Sequence, residues 1–95
     1  MKTGNIKNVM NPGDVLKVIM DEHGLTQRQL AAHLKVSQPY LSDILRMKRG
    51  ISPEMAYRLA KALGSTPQTW MNLQTNWLLS QVDQKKIKDV EKIAA

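Results

Sequence analysis

Three observations predict an all-α chain. Apolar residues recur at three- and four-residue spacing, each such run is bracketed by residues that start and stop helices, and no five-residue run alternates as a strand does. With 95 residues there is room for one domain around one core. The expected organisation is an N-terminal tail over 1–11, a five-helix domain over 12–82 and a helical extension over 83–95.

Pro12 opens the first helix, which carries Val15, Leu16, Ile19 and Met20 on one side and stops at Gly24, a residue free to turn left-handed. The second begins at Thr26, which forms a capping box with Gln29; Leu30, Ala31 and Leu34 are its buried stripe. Ser37 or Gln38 caps the third helix, with Pro39 in the first turn and Leu41, Ile44 and Leu45 facing inward. The restriction that Pro places on its predecessor favours Gln38 as the cap. Ser52-Pro53-Glu54 starts the fourth, whose stripe of Met55, Ala56, Leu59, Ala60 and Leu63 runs to Gly64. Thr66-Pro67 starts the fifth. There Trp70, Leu73 and Trp77 share one face while Met71, Leu78 and Val82 share another, and a terminal helix with two apolar faces asks for a partner as well as a core. Ile87, Val90 and Ala94 continue at helical spacing beyond it.

Composition narrows the functional classes. The absence of cysteine excludes disulfides, thiolate nucleophiles and Cys-ligated metals. His23 and His33 lie on different helices without an acidic cluster beside His33, so no metal and no other cofactor is expected. No run of apolar residues reaches the ~20 needed to span a bilayer, and Met1 to Asn11 lacks the apolar stretch of a signal peptide; the expectation is a chain that works in a reducing cytoplasm, off the membrane. Tyr40 lacks the surrounding Arg and His groups of a tyrosine nucleophile, so neither an enzyme nor a small-molecule substrate is expected.

Charge is distributed unevenly. The net charge is +6. Between Gly24 and Gly50, Arg28, Lys35, Arg46, Lys48 and Arg49 face only Asp43, whereas Ala62 to Val82 has no charged residue at all. The first segment suits a polyanion and the second suits burial against the fold or another chain. Trp70, Met71, Gln74, Trp77 and Leu78 are the candidate dimer contacts, in preference to a role for the tryptophans in stacking single-stranded bases.

Gln27 to Leu45 reads as two short helices joined by a three-residue turn, with small Ala31 where the second helix crosses and apolar Leu34, Leu41 and Ile44 between them: a helix-turn-helix unit. In that geometry the start of the second helix enters the DNA major groove. Gln38, Pro39, Tyr40, Ser42 and Asp43 are then the candidates for base readout, led by Gln38, whose amide both donates and accepts as adenine requires. Asp43 either accepts from a cytosine amino group or turns toward Arg46. Thr26, Gln27, Arg28, Ser37, Arg46, Lys48 and Arg49 are the candidates for phosphate contact.

The run from Leu25-Thr26-Gln27-Arg28-Gln29-Leu30-Ala31 through Val36-Ser37 and Ile44-Leu45 to Arg49-Gly50-Ile51-Ser52-Pro53-Glu54-Met55-Ala56-Tyr57-Arg58-Leu59-Ala60 resembles the phage-repressor-like (XRE) helix-turn-helix class. Gly64-Ser65-Thr66-Pro67-Gln68-Thr69-Trp70-Met71-Asn72-Leu73-Gln74 with Trp77, and the opening Pro12-Gly13-Asp14-Val15-Leu16, are similar more narrowly to the HigA (VapI-like) antitoxins. The likeness covers about Asn11 to Gln81. It implies a bacterial type II antitoxin, cytoplasmic and nucleoid-associated when bound: a homodimer that binds double-stranded operator DNA to repress its own operon and neutralises a RelE-like mRNA-cleaving toxin. A stand-alone prophage-type repressor and a protein-docking module without DNA binding are the competing classes. One departure stands out, because Lys35 occupies a turn position where such units often have Gly; either the turn differs or Lys35 adopts positive φ at a cost of about 1 kcal/mol.

Overall fold

Helices form where the caps and stripes place them. The computed structural model describes residues 9–94, so the tail expected over 1–11 lies outside the described residues except for its last three. Helix α1 spans Pro12–His23, α2 Gln27–Leu34, α3 Gln38–Leu45, α4 Pro53–Leu63 and α5 Pro67–Ser80. No strand occurs among the described residues.

Each helix begins on a side-chain oxygen that accepts a backbone N–H from three residues on: Asn11, Thr26, Ser37, Ser52 and Thr66 in turn. For α3 the cap is Ser37, not Gln38. The Ser37 hydroxyl accepts from the Tyr40 N–H at 3.2 Å, Pro39 sits one place inside the helix, and Gln38 already has helical geometry. The hydroxyl's hydrogen bond outweighs the bias that proline exerts on its predecessor.

Four of the five helices also end alike. Paired backbone bonds close α1, α2 and α3, from Gly24 and Leu25 to Asp21 and Met20, from Lys35 and Val36 to Ala32 and Ala31, and from Met47 and Lys48 to Ile44 and Asp43. This is the Schellman arrangement, which needs one left-handed residue. Gly24 and Gly64 supply it for α1 and α4. Lys35 (φ 63°) and Met47 (φ 62°) supply it without glycine, so the turn keeps its usual form and Lys35 bears the left-handed conformation.

The core lies where α1 and α2 meet α3 and where α2 meets α4, with Leu16, Leu30, Leu41, Ile44, Met55 and Leu59 fully enclosed. Ala31 and Ala56 are buried too, small where neighbouring helices cross. Helix α1 comes close enough to the end of α3 that a Cβ on Gly13 would stand 2.5 Å from the Ile44 carbonyl oxygen. Helix α5 contributes Trp70, whose indole N–H donates to Ser65 Oγ at 2.8 Å, and lies mainly against α4.

The C-terminal segment departs from expectation. Instead of a helix over 83–95 there is one 3-10 turn, Gln84–Ile87, and Ile87, Val90 and Ile93 are exposed. Its apolar residues touch no core, and Lys85, Lys86 and Lys88 repel one another, so nothing offsets the entropy of ordering a longer helix. Among the described residues no helix is long and apolar enough to cross a membrane.

Lys35 is exposed and left-handed, so Lys35→Gly is expected to raise stability by about 0.5–1 kcal/mol, measured by urea unfolding. A loss of stability would show that the lysine's stem contributes packing that outweighs its backbone strain.

Candidate nucleic-acid interface

Helices α2 and α3, with residues 35–37 between them, form the helix-turn-helix unit. Leu41, Ile44 and Leu45 are buried, and this orients α3 and turns its opposite side outward. Gln38 and Pro39 are exposed, while Tyr40, Ser42 and Asp43 are half-buried along the same helix. Neither Gln38 nor Tyr40 is enclosed in the interior. The five sequence candidates for base readout thus fall on one short helix, and Gln38 and Pro39 are the most open.

Two of the five are already engaged. The Arg49 guanidinium lies over the Tyr40 ring, 4.9 Å from its centroid. Asp43 Oδ1 lies 3.7 Å from Arg46 Nη2, so in the free chain the carboxylate turns toward Arg46. Both groups of that pair are substantially open to solvent, so its energy is small and a competing phosphate can take Arg46.

The phosphate candidates divide similarly. Arg28, Arg46, Lys48 and Arg49 are exposed, and the last three crowd the turn after α3. Thr26 and Ser37 serve as caps: Thr26 Oγ1 accepts from the Gln29 N–H, and the Thr26 N–H donates to Gln29 Oε1 at 2.9 Å. Their hydroxyl protons stay available, but the Thr26 amide does not. Gln27, the first residue of α2, is half-buried.

The candidate dimer contacts need correction. Trp70 is 3% exposed and satisfied inside its own chain, so it has no surface to offer a second one. The Gln74 side chain accepts from the Ile51 N–H and donates to the Ile51 carbonyl at 2.9 Å, which ties its amide to the backbone of its own chain. Met71 is half-buried against the core. Trp77 is half-buried, and Leu78 is exposed together with Leu79 and Val82, so the uncovered apolar surface lies in the last turns of α5 and just past them. Beside it runs a groove of about 290 Å³ lined by Asn11, Ile44, Met47, Gly50, Gln74 and Trp77.

Sequence reasoning missed the structural roles of Gln74, Gly50, Asn11 and Arg58, which hold this surface. Gln74 braces the exit of the basic turn, and a Cβ on Gly50 would fall 2.5 Å from its Oε1, so Gly50 is small to admit that amide. Asn11 is buried; besides capping α1 its amide reaches the Met47 sulfur at the head of the basic turn. Arg58, on α4, donates to the Leu34 carbonyl at 3.0 Å and pairs with Glu54 Oε2 at 2.8 Å. Of these, only the Glu54–Arg58 spacing, four residues along a helix, is visible in the sequence.

A five-helix unit whose short α3 turns polar side chains outward beside a cluster of cations has the architecture of a helix-turn-helix DNA-binding regulator. Residues 16–70 match the family model for the helix-turn-helix (HTH_3), and the chain belongs to that family, of the XRE type. The chain is 34% identical over 86 residues to YddM, an uncharacterized HTH-type transcriptional regulator of Escherichia coli K12, covering 90% of this chain and 89% of YddM. Its fold is similar to that of Pseudomonas aeruginosa antitoxin HigA solved with the higBA promoter, with TM-score 0.84 and 35% identity over 92% of this chain and all of the other. The structure of PA4674 with 18 bp of its operator DNA, also from Pseudomonas aeruginosa, has TM-score 0.84 and 36% identity over 90% and 96% of the two chains. The family is one of DNA-binding regulators and antitoxins, not enzymes.

The Gly50–Gln74 contact is open to a double-mutant cycle. Gly50→Ala alone is expected to cost about 1–2 kcal/mol of stability, because the end of Gln74 swings aside and gives up its bonds to the Ile51 backbone, and distinctly less in a Gln74→Ala background, where those bonds are already gone. Additive losses in thermal or urea melts would show that the glycine is required for another reason.

Proposed function

We propose that this protein is the antitoxin of a type II toxin–antitoxin pair, a homodimer that binds a palindromic operator to repress its own operon and that neutralises a RelE-like mRNA-cleaving toxin by direct contact. The observation that carries the DNA-binding part is the outward side of α3, with Gln38 and Pro39 open and Arg46, Lys48 and Arg49 at its far end. This fold is shared with a HigA antitoxin solved with promoter DNA. In this reading α3 enters the major groove and Gln38 pairs with a base edge, while Pro39 and the Tyr40 ring touch sugars or thymine methyls. Arg28, Arg46, Lys48 and Arg49 bind phosphates, with the hydroxyls of Thr26 and Ser37 and the start of α2 at Gln27 assisting. Ser42 and Asp43 complete the groove-facing set.

Trp77 and Leu78, with Leu79 and Val82 beside them, are the surface on which a second copy packs. Two α3 helices from a two-fold dimer then reach successive major grooves about one helical turn apart. The site of action is the bacterial cytoplasm, at the nucleoid when bound to DNA. The relative YddM is named only as a transcriptional regulator, and a second reading is a stand-alone repressor without a toxin.

A gel shift on the DNA upstream of the gene tests the first half. Gln38→Ala is expected to lose about 1–3 kcal/mol of discrimination at one base pair, while Arg46→Ala weakens binding to all sequences and flattens the salt slope by about one. With about three phosphates neutralised per protomer, the dimer's log K against log salt should fall with a slope of roughly −5. Equal effects of both substitutions on every sequence would sink the division into base readout and phosphate contact.

Co-expression with the adjacent small reading frame tests the second half. The neighbour alone should arrest growth, and the two proteins should co-purify. A neighbour that is harmless and does not bind leaves the stand-alone repressor as the correct reading.

A further inference from the structure

The turn between α2 and α3 sets the angle at which α3 is presented, and its carbonyl groups are unevenly provided for. The Schellman pair at the end of α2 takes the carbonyls of Ala31 and Ala32. The carbonyls of Leu34 and Lys35 lie beyond the reach of that pair. Both are met from another element: Arg58 Nη1 on α4 donates to the Leu34 oxygen at 3.0 Å and more distantly to the Lys35 oxygen at 3.5 Å. The same guanidinium, through Nε and Nη2, donates to Glu54 Oε2 at 3.3 and 2.8 Å. Glu54 therefore aims the fork from one side, and the carbonyls receive it on the other.

The placement is electrostatically apt. A cation stands at the C-terminal end of α2, where the helix dipole is negative, and it fixes the one turn in the unit that depends on a left-handed lysine. Helix α4 is itself held by Met55, Ala56 and Leu59 in the core, so a contact from Arg58 ties the turn to a rigid support. Between the start of α3 and the start of α4 lies a cleft lined by Val36, Ser37, Tyr40, Ser52, Glu54 and Arg58, so few direct side-chain contacts fix the entry to α3 from this side. The ion pair with Glu54, by contrast, is open to water, Glu54 being 76% exposed, and contributes little by itself.

We propose that Arg58 is a positioning residue for DNA recognition: from α4 it holds the Leu34 and Lys35 carbonyls and thereby sets the angle of α3, without touching the duplex. This rests on the DNA-binding reading above. It assigns to Arg58 a role separate from that of the cations around α3, which bind phosphates.

The test compares full-length wild type with Arg58→Met, Arg58→Lys and Glu54→Gln, at a temperature where thermal melts show each to be folded. Operator affinity should fall about tenfold for Arg58→Met, less for Arg58→Lys, which retains one donor, and no more than about twofold for Glu54→Gln. Affinity for an unrelated duplex should not change, and the salt slope on the operator should match wild type.

Wild-type affinity in Arg58→Met overturns the proposal. So does a loss shared by operator and unrelated duplex with a slope shallower by about 0.9, because that is the mark of a phosphate contact. An equal loss in Glu54→Gln would assign the effect to the ion pair and overturn it too. Should Arg58→Met not fold, Arg58→Lys decides on the same criteria. Amide hydrogen exchange separates this proposal from the reading beneath it: Lys35 and Val36 N–H groups should exchange faster in the Arg58 variants even without DNA, and unchanged exchange defeats the clamp. If wild type fails to bind its upstream DNA while that exchange difference is present, it is the DNA-binding reading that falls.

Discussion

The packing of α3 across α1 and α2 is the constraint on which the rest of the molecule depends. Leu41, Ile44 and Leu45 enter a core built from Leu16, Leu30 and Leu34, and their burial orients an eight-residue helix far too short to persist alone in water. Because the burial of three side chains fixes the helix's rotation, it also fixes which residues remain outside. Gln38 and Pro39 are exposed because Leu41 and Ile44 are enclosed; the outward side of α3 is the complement of the core. Gly13 and Ala31 belong to the same constraint, since a larger residue at either place would push a neighbouring helix away from its seat.

Two left-handed residues without glycine bracket the unit, Lys35 before α3 and Met47 after it. Each carries strain of about 1 kcal/mol, offset by the pair of backbone hydrogen bonds that such a residue makes possible at a helix end. Both are also braced by side chains from elsewhere in the chain. Arg58 reaches the Lys35 carbonyl from α4, and Asn11 reaches the Met47 sulfur from the cap of α1. The ends of α3 are thus held by elements distant in sequence, while its middle is held by the core.

Much of this was legible in the sequence, for physical reasons that differ from residue to residue. Caps and stripes act locally, so Pro12, the Thr26–Gln29 box, Ser52-Pro53 and Gly64 mark their helices without reference to anything distant. At Ser37 and Gln38 two local rules conflict, the bias of proline on its predecessor and the hydroxyl's hydrogen bond, and the hydrogen bond prevails. The C-terminal segment shows the limit of periodicity: Ile87, Val90 and Ala94 have helical spacing but no core to meet. Trp70 and Gln74 were grouped with Trp77 and Leu78 because spacing shows which residues share a face without showing which end of the helix is covered. Their actual partners, Ser65 and the Ile51 backbone, are fixed by tertiary packing. Arg58 illustrates the same gap, since its pairing with Glu54 follows from helix geometry whereas its reach to Leu34 spans 24 positions.

Helix α5 joins the two surfaces of the molecule. Along its length the side chains pass from Trp70, enclosed in the core, through Gln74, bonded to the Ile51 backbone, to Leu78, open to solvent. Gln74 therefore stands between the basic turn that carries Lys48 and Arg49 and the apolar end that carries Trp77 and Leu78. A partner settling on that apolar end would lie alongside the same groove that Met47 and Gly50 line, one helical turn from the amide that braces the cations. Charge and hydrophobicity are separated along this chain, with an uncharged stretch from Ala62 to Val82 following the basic one, yet in the fold Lys48 and Arg49 line the same groove as Trp77 and Leu78, with Gln74 between them. Gln74, hydrogen-bonded to the Ile51 backbone, is thus the side chain that stands between the basic turn and the apolar end of α5.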